Sequence, residues 1–447
     1  MKKVILLLLL LPSLLLNAQN EGRGLAKLSL PTTPRYYFTQ RNHQRLLTLD
    51  ANMARRRAFL DMSAHFNMAE LTTNVTLPVV IHLLYKTGTS TANLPTETQI
   101  RQQLDMATQD FRQTVKIKKH QADDIEHFAD KNAMDTRISF CLASKTATGA
   151  TTTGILTVPT SVTTWLADDK MKSATTNGST AWDTEKYINI WVVNFPDSIS
   201  GYAQMPSGPT TTDGIVIDVR YFGKKPNNAN SFPYTAGKTL THLLGSYLNL
   251  YELWSETTPC GDDGVSDTPI QNSPTVGSVD YRYISTCAGN PVVMSMNFMD
   301  NSNDSMVYMF TNGQKRRLHA TLAPNGIRSK LVVSGATQCT NVPVTPTIGQ
   351  QKQAEFITAE KISAQSYRIY PIPAPQNINF EIGVEKNGTA TITVFNSQGS
   401  VQMNQNYKVY EGNQSFNINC NNWTTGLYFV RLKVNETIVN ERVMIQK

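Results

Sequence analysis

Residues 241–254 read THLLGSYLNLYELW. Spaced as a helix, Leu240, Leu244, Tyr247, Leu248 and Tyr251 fall at i, i+4, i+7, i+8 and i+11 and make one apolar stripe. His242, Ser246 and Asn249 run along the opposite face.

A zinc peptidase of the H-E-x-x-H-x-x-G-x-x-H type needs this frame. Two histidines one turn apart grip the metal, a glutamate beside the first is the general base, and a glycine lets the chain turn so that a third histidine closes the site. His242 fills the first ligand position. Leu243 stands at the general-base position, Ser246 at the second ligand, Asn249 at the glycine and Glu252 at the third ligand. The frame is kept and most of its chemistry is not.

Upstream, residues 19–76 are basic and uneven, and His43–Leu60 has helical character. Leu77–Tyr85 (LPVVIHLLY) is an almost unbroken apolar run, expected as a buried strand with His82 as a satisfied core histidine. Over Thr96–Thr114, Ile100, Leu104, Ala107 and Phe111 share a helical face behind a Thr96–Glu97 start signal. Arg137–Ala143, Tyr187–Asn194 and Ile215–Val219 read as strands, and Ser200–Gly208 as a glycine- and proline-rich turn. This order predicts an α/β (α+β) domain with its sheet packed on helices.

Downstream, Cys260–Pro274 (CGDDGVSDTPIQNSP) alternates carboxylates with small residues, as calcium-wrapping loops do; an acidic surface turn is the alternative. Met294–Asp300 (MSMNFMD) holds a methionine in a tight turn. Residues 338–365 have the composition of a linker. Residues 366–447 alternate short strands with Gly and Asn, which predicts a small all-β sandwich.

A length of 447 residues calls for two or three domains. The net charge of +7 comes with basic residues gathered near the start (Arg35, Arg41, Arg45, Arg55, Arg56, Arg57) and no long basic stripe, which argues against nucleic acid as a partner. Residues 1–18 have a Lys2–Lys3 head and the apolar run Val4–Leu16, the pattern of a signal peptide and too short for a stable membrane span. Five cysteines in an exported chain leave at least one unpaired. Cys260 and Cys287 flank a turn-rich loop and are the best pair, Cys141 in ISFCLA is expected as a buried thiol, and Cys339 and Cys420 have no assignment.

The helix, the acidic loop and the methionine turn occur together, in this order, in one known group. The chain resembles the pappalysin family of metzincin metallopeptidases, in the bacterial branch that includes ulilysin and mirolysin. HQRLLTLDANMARRR (residues 43–57) is similar to the family's pro-segment, and LPVVIHLLY, DTRISFCLA, AWDTEKYINIWVVN and GYAQMPSGPTTTDGIVI to its upper-subdomain strands. DDGVSDTPIQ, MNFMD and MFTNGQKRRL are similar to the lower subdomain. The C-terminal segment resembles the type IX secretion sorting domain of Bacteroidetes, through YPIPA (Tyr370–Ala374, with Ile372 where that domain has Asn) and GLYFVRL (Gly426–Leu432).

The resemblance implies a metzincin-like metallopeptidase fold with a C-terminal all-β sandwich. It divides the chain into signal peptide (1–18), pro-segment (19–76), metallopeptidase-fold domain (77–337), linker (338–365) and sorting domain (366–447). His242 would be the remaining zinc ligand, with Glu252 and Ser246 at the other two ligand positions. Met299 would be the Met-turn methionine, and Asn301 stands where the family has the tyrosine that hydrogen-bonds the tetrahedral intermediate. Tyr37 aligns with the latency cysteine. Cys260–Cys287 would be a disulfide, and Asp263, Asp267 and Thr268 a calcium site.

Metal ligands, base, oxyanion partner and latency cysteine are all altered together. The expectation is a pseudopeptidase with no catalytic residue and no catalytic zinc. It would be secreted or held at the outer-membrane surface through a Sec signal peptide and the type IX machinery, and would keep the cleft for a peptide or protein ligand. An altered zinc metalloendopeptidase and a structural surface protein are the alternatives.

Overall fold

The structure is a computed structural model. It describes residues 35–447 apart from 67–70, 92–93, 114–127, 197–198, 224–231, 280–282, 325, 340–366, 371–373, 385, 397–400 and 435–436. The expected signal peptide, most of the expected linker and the centre of YPIPA lie outside the described residues.

The chain enters as a short strand β1 (Tyr36–Tyr37), then two helices, α1 (Thr39–Leu49) and α2 (Ala51–Phe66). The single helix expected over residues 43–60 is therefore two, divided at Asp50, whose backbone is extended (φ −134°, ψ 99°). Strand β2 (Val75–Lys86) follows, buried at nine of its twelve positions, as its apolar run requires. Helix α3 (Glu97–Arg112) starts on a capping box in which the Thr96 hydroxyl accepts from the Gln99 amide and the Gln99 side chain accepts from Thr96 N–H.

Strands β3 (Ile138–Leu142), β4 (Ile155–Thr160), β5 (Ile188–Val193), β6 (Ile199–Ala203) and β7 (Ile215–Asp218) complete a seven-stranded mixed sheet. Its order is β1-β6-β7-β5-β2-β3, with β4 also on β2; β6–β7 is antiparallel and the other pairs are parallel. β6 lies where a turn was expected. Its glycine is the reason: a Cβ at Gly201 would come within 2.5 Å of Val216 O and 2.8 Å of Leu243 Cδ1, so only glycine lets this strand approach both neighbours.

Helix α4 (Lys238–Tyr247) lies against this sheet, and its residues from Thr239 onward are all buried. Helices α5 (Asn312–Leu322) and α6 (Ser329–Gln338) close the domain. The end of α6 reaches β3, where Ser144 N–H donates to Gln338 O at 2.8 Å and Cys339 pairs with Cys141. This corrects the expectation of a buried thiol at Cys141: its apolar surroundings are real, but its partner arrives from 198 residues away. Cys260–Cys287 is paired as expected, and Cys420 is a buried free thiol.

Residues 367–445 form two antiparallel sheets, β11-β10-β13-β14 and β12-β9-β8, whose inward residues make a separate core around Phe380, Ile392, Val430 and Ile445. These strands are β8 (Tyr367–Tyr370), β9 (Asn377–Val384), β10 (Gly388–Phe395), β11 (Val401–Val409), β12 (Gly412–Asn419), β13 (Gly426–Val434) and β14 (Thr437–Ile445). Along β9, buried and half-buried positions alternate, the period-2 pattern of a strand with one face inward.

Candidate active-site cleft

Helix α4 holds the candidate site. Its N-terminus is capped from outside: Asp304 Oδ2 accepts from Ala236 N–H (2.9 Å) and Lys238 N–H (3.3 Å), placing a carboxylate at the positive end of the helix. Its middle rests on the methionine turn. A Cβ at Gly245 would lie 2.6 Å from Met299 Sδ, so glycine is what lets Met299 sit directly beneath the helix. The turn itself is fixed by Asn297, whose Oδ1 accepts from Met299 N–H at 2.8 Å.

The helix ends at a left-handed residue. Asn249 has φ +86°, a conformation Asn adopts more readily than most residues, and its carbonyl accepts from Arg317 Nε at 2.6 Å. The chain thereby doubles back, and Glu252 Oε1 comes to 3.6 Å from His242 Nε2 with both side chains almost fully buried. The sequence left open whether Glu252 turns back toward His242; in the structure it does.

His242 Nδ1–H donates to the Phe298 carbonyl at 2.9 Å, because a carbonyl can only accept. That bond fixes the tautomer and leaves a lone pair on Nε2. Burial, and then the Arg35 charge, push the imidazole pKa down to about 3, with the carbonyl bond opposing. Burial pushes the Glu252 carboxyl up to about 8 against the pull of the neighbouring Gln40 amide, so it is mostly protonated at neutral pH.

His242 Nε2, Ser246 Oγ, Asn249 Oδ1 and both Glu252 carboxyl oxygens are buried without a protein hydrogen-bond partner. Leu243 makes no polar contribution; it is core, packed toward Gly201.

The wall of this floor is the N-terminal segment. β1 pairs in parallel with β6, Tyr36 opposite Ile199 and Tyr37 opposite Gly201, and Phe38 N–H donates to Gly201 O at 2.9 Å. The Tyr37 ring lies on the His242 imidazole at 3.6 Å between centroids and 4° from parallel. The Arg35 guanidinium is buried and donates to Asp304 Oδ1 (2.6 Å), Ser302 O (2.7 Å), Thr239 Oγ1 (3.3 Å) and Asn301 Oδ1 (3.0 Å). Asn301 also donates from Nδ2 to Arg35 O at 3.1 Å. The residue at the oxyanion-tyrosine position therefore grips the N-terminal segment.

A zinc ion would have one imidazole and one carboxyl as strong donors here. Ser246 offers a neutral hydroxyl, and no group of three His, Cys, Asp or Glu side chains converges in ligating geometry among the described residues. This donor set does not fit a catalytic zinc.

In the acidic loop, the two carboxylates accept hydrogen bonds from the loop itself and from the start of α5. Asp263 Oδ1 accepts from Val265 N–H (3.0 Å) and Thr268 Oγ1 (2.7 Å). Asp267 caps α5 through Thr311 Oγ1 and Gly313 N–H, both at 2.7 Å. Asp263 Oδ2 is the one oxygen of the two carboxylates left without a partner, and burial pushes that carboxyl up to about 7.

Sequence reasoning missed Arg35, Asp304, Gly245 and Arg317 as parts of this site. Arg35 stood out only as one of several basic residues near the start. Gly245, in the middle of a helix, was the signal that could have located the close contact with Met299.

A helix turning back at a left-handed residue above a methionine turn, edged by a mixed sheet, defines a metzincin-type metallopeptidase domain. Residues 172–323 match the family described as pregnancy-associated plasma protein-A, and residues 368–446 match the secretion system C-terminal sorting domain. Mature mirolysin of Tannerella forsythia, in complex with a cleaved peptide, is 32% identical with a TM-score of 0.54, over 60% of this chain and 99% of that one. A promirolysin mutant of the same organism is 30% identical with a TM-score of 0.59, over 68% of this chain and 98% of that one. An extracellular metalloprotease of Arthroderma benhamiae is 34% identical over 140 residues, 30% of this chain and 50% of that one. The chain thus spans about half the length of the curated relatives it matches.

The chain belongs to the pappalysin family of metallopeptidases. Its sorting domain directs it through type IX secretion to the cell surface or beyond. Among the described residues no helix is long and apolar enough to cross a membrane.

Proposed function

We propose that this protein is a secreted, catalytically inactive pappalysin whose cleft binds a peptide, and that the peptide is its own residues 35–38. The observation that carries this reading is the stack of Tyr37 on His242 at 3.6 Å. The face of the one remaining zinc-type ligand is covered by an apolar ring from the same chain. Leu243 beside it cannot accept a proton, and loss of a general base alone costs roughly 10²–10⁴-fold in rate. The mirolysin relative holds a cleaved peptide; here the strand laid along β6 is β1.

Purified full-length protein incubated with Arg-containing peptides should cut none of them above a no-protein blank, with or without added Zn²⁺. Cleavage that a chelator abolishes and Zn²⁺ restores would overturn the proposal. One observation favours a second reading, an altered metal site: His242 Nε2 and Glu252 Oε1 face each other at 3.6 Å, and both, like Ser246 Oγ, are buried without a partner. That reading leaves Tyr37 in place, since its ring covers the face of the imidazole and a metal would bind Nε2 in the plane of the ring. Calcium in the acidic loop is a separate proposal, resting on the free oxygen of Asp263 and tested by a Ca²⁺-dependent rise in melting temperature that D263N abolishes.

A further inference from the structure

Removal of an N-terminal segment matters only if the segment can leave. In this chain, residues 35–66 are anchored at four separate places. The first is the Arg35 cluster just described, in which both the guanidinium and the backbone carbonyl of Arg35 are held by Asn301. The second is Tyr37, buried in the same core as Leu243, Met299 and Phe310.

The third anchor is Arg45 on α1, which pairs with Asp169; that carboxylate also takes Lys172 Nζ at 2.7 Å and the Tyr202 hydroxyl at 3.0 Å. The fourth is on α2. Asp61 accepts from the Tyr251 hydroxyl (3.0 Å) and pairs with Arg317, the same arginine that holds the Asn249 carbonyl. Arg57, itself buried, bonds Asp61 and Tyr251 and lies over the Tyr251 ring at 4.6 Å. The turn that brings Glu252 back to His242 is thus braced by a residue of the N-terminal segment.

Three of the four anchors pair a charge on one side with its partner on the other. Separating the two sides breaks all three ion pairs and the Arg35 hydrogen bonds together and uncovers the apolar contact around Tyr37. Leu46 and Met53 add buried apolar surface to the same contact.

We infer that residues 35–66 are a permanent part of the domain rather than a detachable pro-segment, so that cutting the chain between Phe66 and Leu71 gives a two-chain protein and does not open the cleft. The inference rests on the self-occupied cleft proposed above but concerns binding, not catalysis. Zinc-dependent cleavage of peptides would sink the proposal of inactivity, and release of the segment would sink this one.

The test replaces residues 67–70 of the full-length chain with the recognition sequence of a specific protease, cuts to completion, and follows the fragment by gel filtration and the body by circular dichroism. The expected result is co-elution of fragment and body at micromolar concentration, and a single unfolding transition in which both separate. A body that loses its fold as the fragment departs equally supports a segment integral to the domain. A fragment that leaves while the body keeps its spectrum and melting transition would overturn the inference. In the cut protein, R35A should weaken retention by about 10²–10³-fold, as expected for breaking one buried ion pair. R41A, which removes a mostly exposed pair with Glu256, should leave it within about twofold.

Discussion

The two sides of the His242 imidazole differ sharply. Toward Glu252 and Ser246, buried polar atoms stand without partners. Toward the N-terminal segment, three nitrogens of Arg35 donate to four oxygens, and the Asn301 amide is used at both ends. A hydrogen-bond network inside the protein is one the fold depends on, whereas a group with no protein partner has no such bond to lose. The difference teaches that Arg35 and Asn301 are fixed by hydrogen bonds inside the protein, whereas Glu252, Ser246 and the Tyr37 hydroxyl have no protein partner and are held by packing alone.

Substitutions on the two sides should therefore behave in opposite ways. The largest effect is expected from D304A, which strips Arg35 of its counter-ion and α4 of its cap together. Chemical denaturation should show a loss of about 3–5 kcal/mol; a loss under about 1 kcal/mol would mean the Arg35 network contributes little.

Acid should act on three buried histidines at once: His242 at the centre of this comparison, His43 on α1, and His82 away from both. His82, buried between Ser179 and Asn189, has its pKa lowered to about 4 by burial. A depressed folded-state value means the unfolded chain takes the proton first. Its contribution is present above about pH 6.5 and is lost as pH falls toward 4, amounting to up to about 3 kcal/mol. Denaturation midpoints measured across that window should fall less steeply in H82N, with His43 and His242 still contributing to the loss.

Beneath the helix, G245V forces a side chain onto Met299 and should cost about 1–3 kcal/mol by overpacking. On the other side, E252Q and S246A change groups that have no hydrogen-bond partner within the protein. Each should change stability by less than about 1 kcal/mol or raise it, because no partner is left exposed by the change. A loss of about 3 kcal/mol from either would reveal a partner on that side and erase the asymmetry. The smallest effect is N249G, expected to be neutral or to gain a few tenths of a kcal/mol at a position already left-handed.

Much of the fold was legible in the sequence because its signals are local. The β2 run, the Ile100–Leu104–Ala107–Phe111 face with its Thr96 cap, and the alternation in the C-terminal strands each declare themselves within a dozen or so residues. So did the candidate site's frame, since His242, Ser246, Asn249 and Glu252 lie on one helix and its turn. What was not legible is set by distance along the chain. Arg35 and Asp304 are 269 residues apart, and Cys141 finds Cys339 only because α6 ends against β3. Ser200–Gly208 read as a turn because its small residues suit one; Gly201 serves instead to let β6 approach α4 closely. Tyr37 was placed opposite the zinc position by resemblance alone, and nothing in its neighbours' sequence told of a ring stacked on His242.

Whether the cleft floor has given up its metal is tested most directly by a zinc titration of the full-length protein by isothermal calorimetry, with H242A as the control. An emptied site predicts no saturable binding of micromolar or tighter affinity that depends on His242. One zinc bound per chain with nanomolar affinity, and lost in H242A, would contradict it.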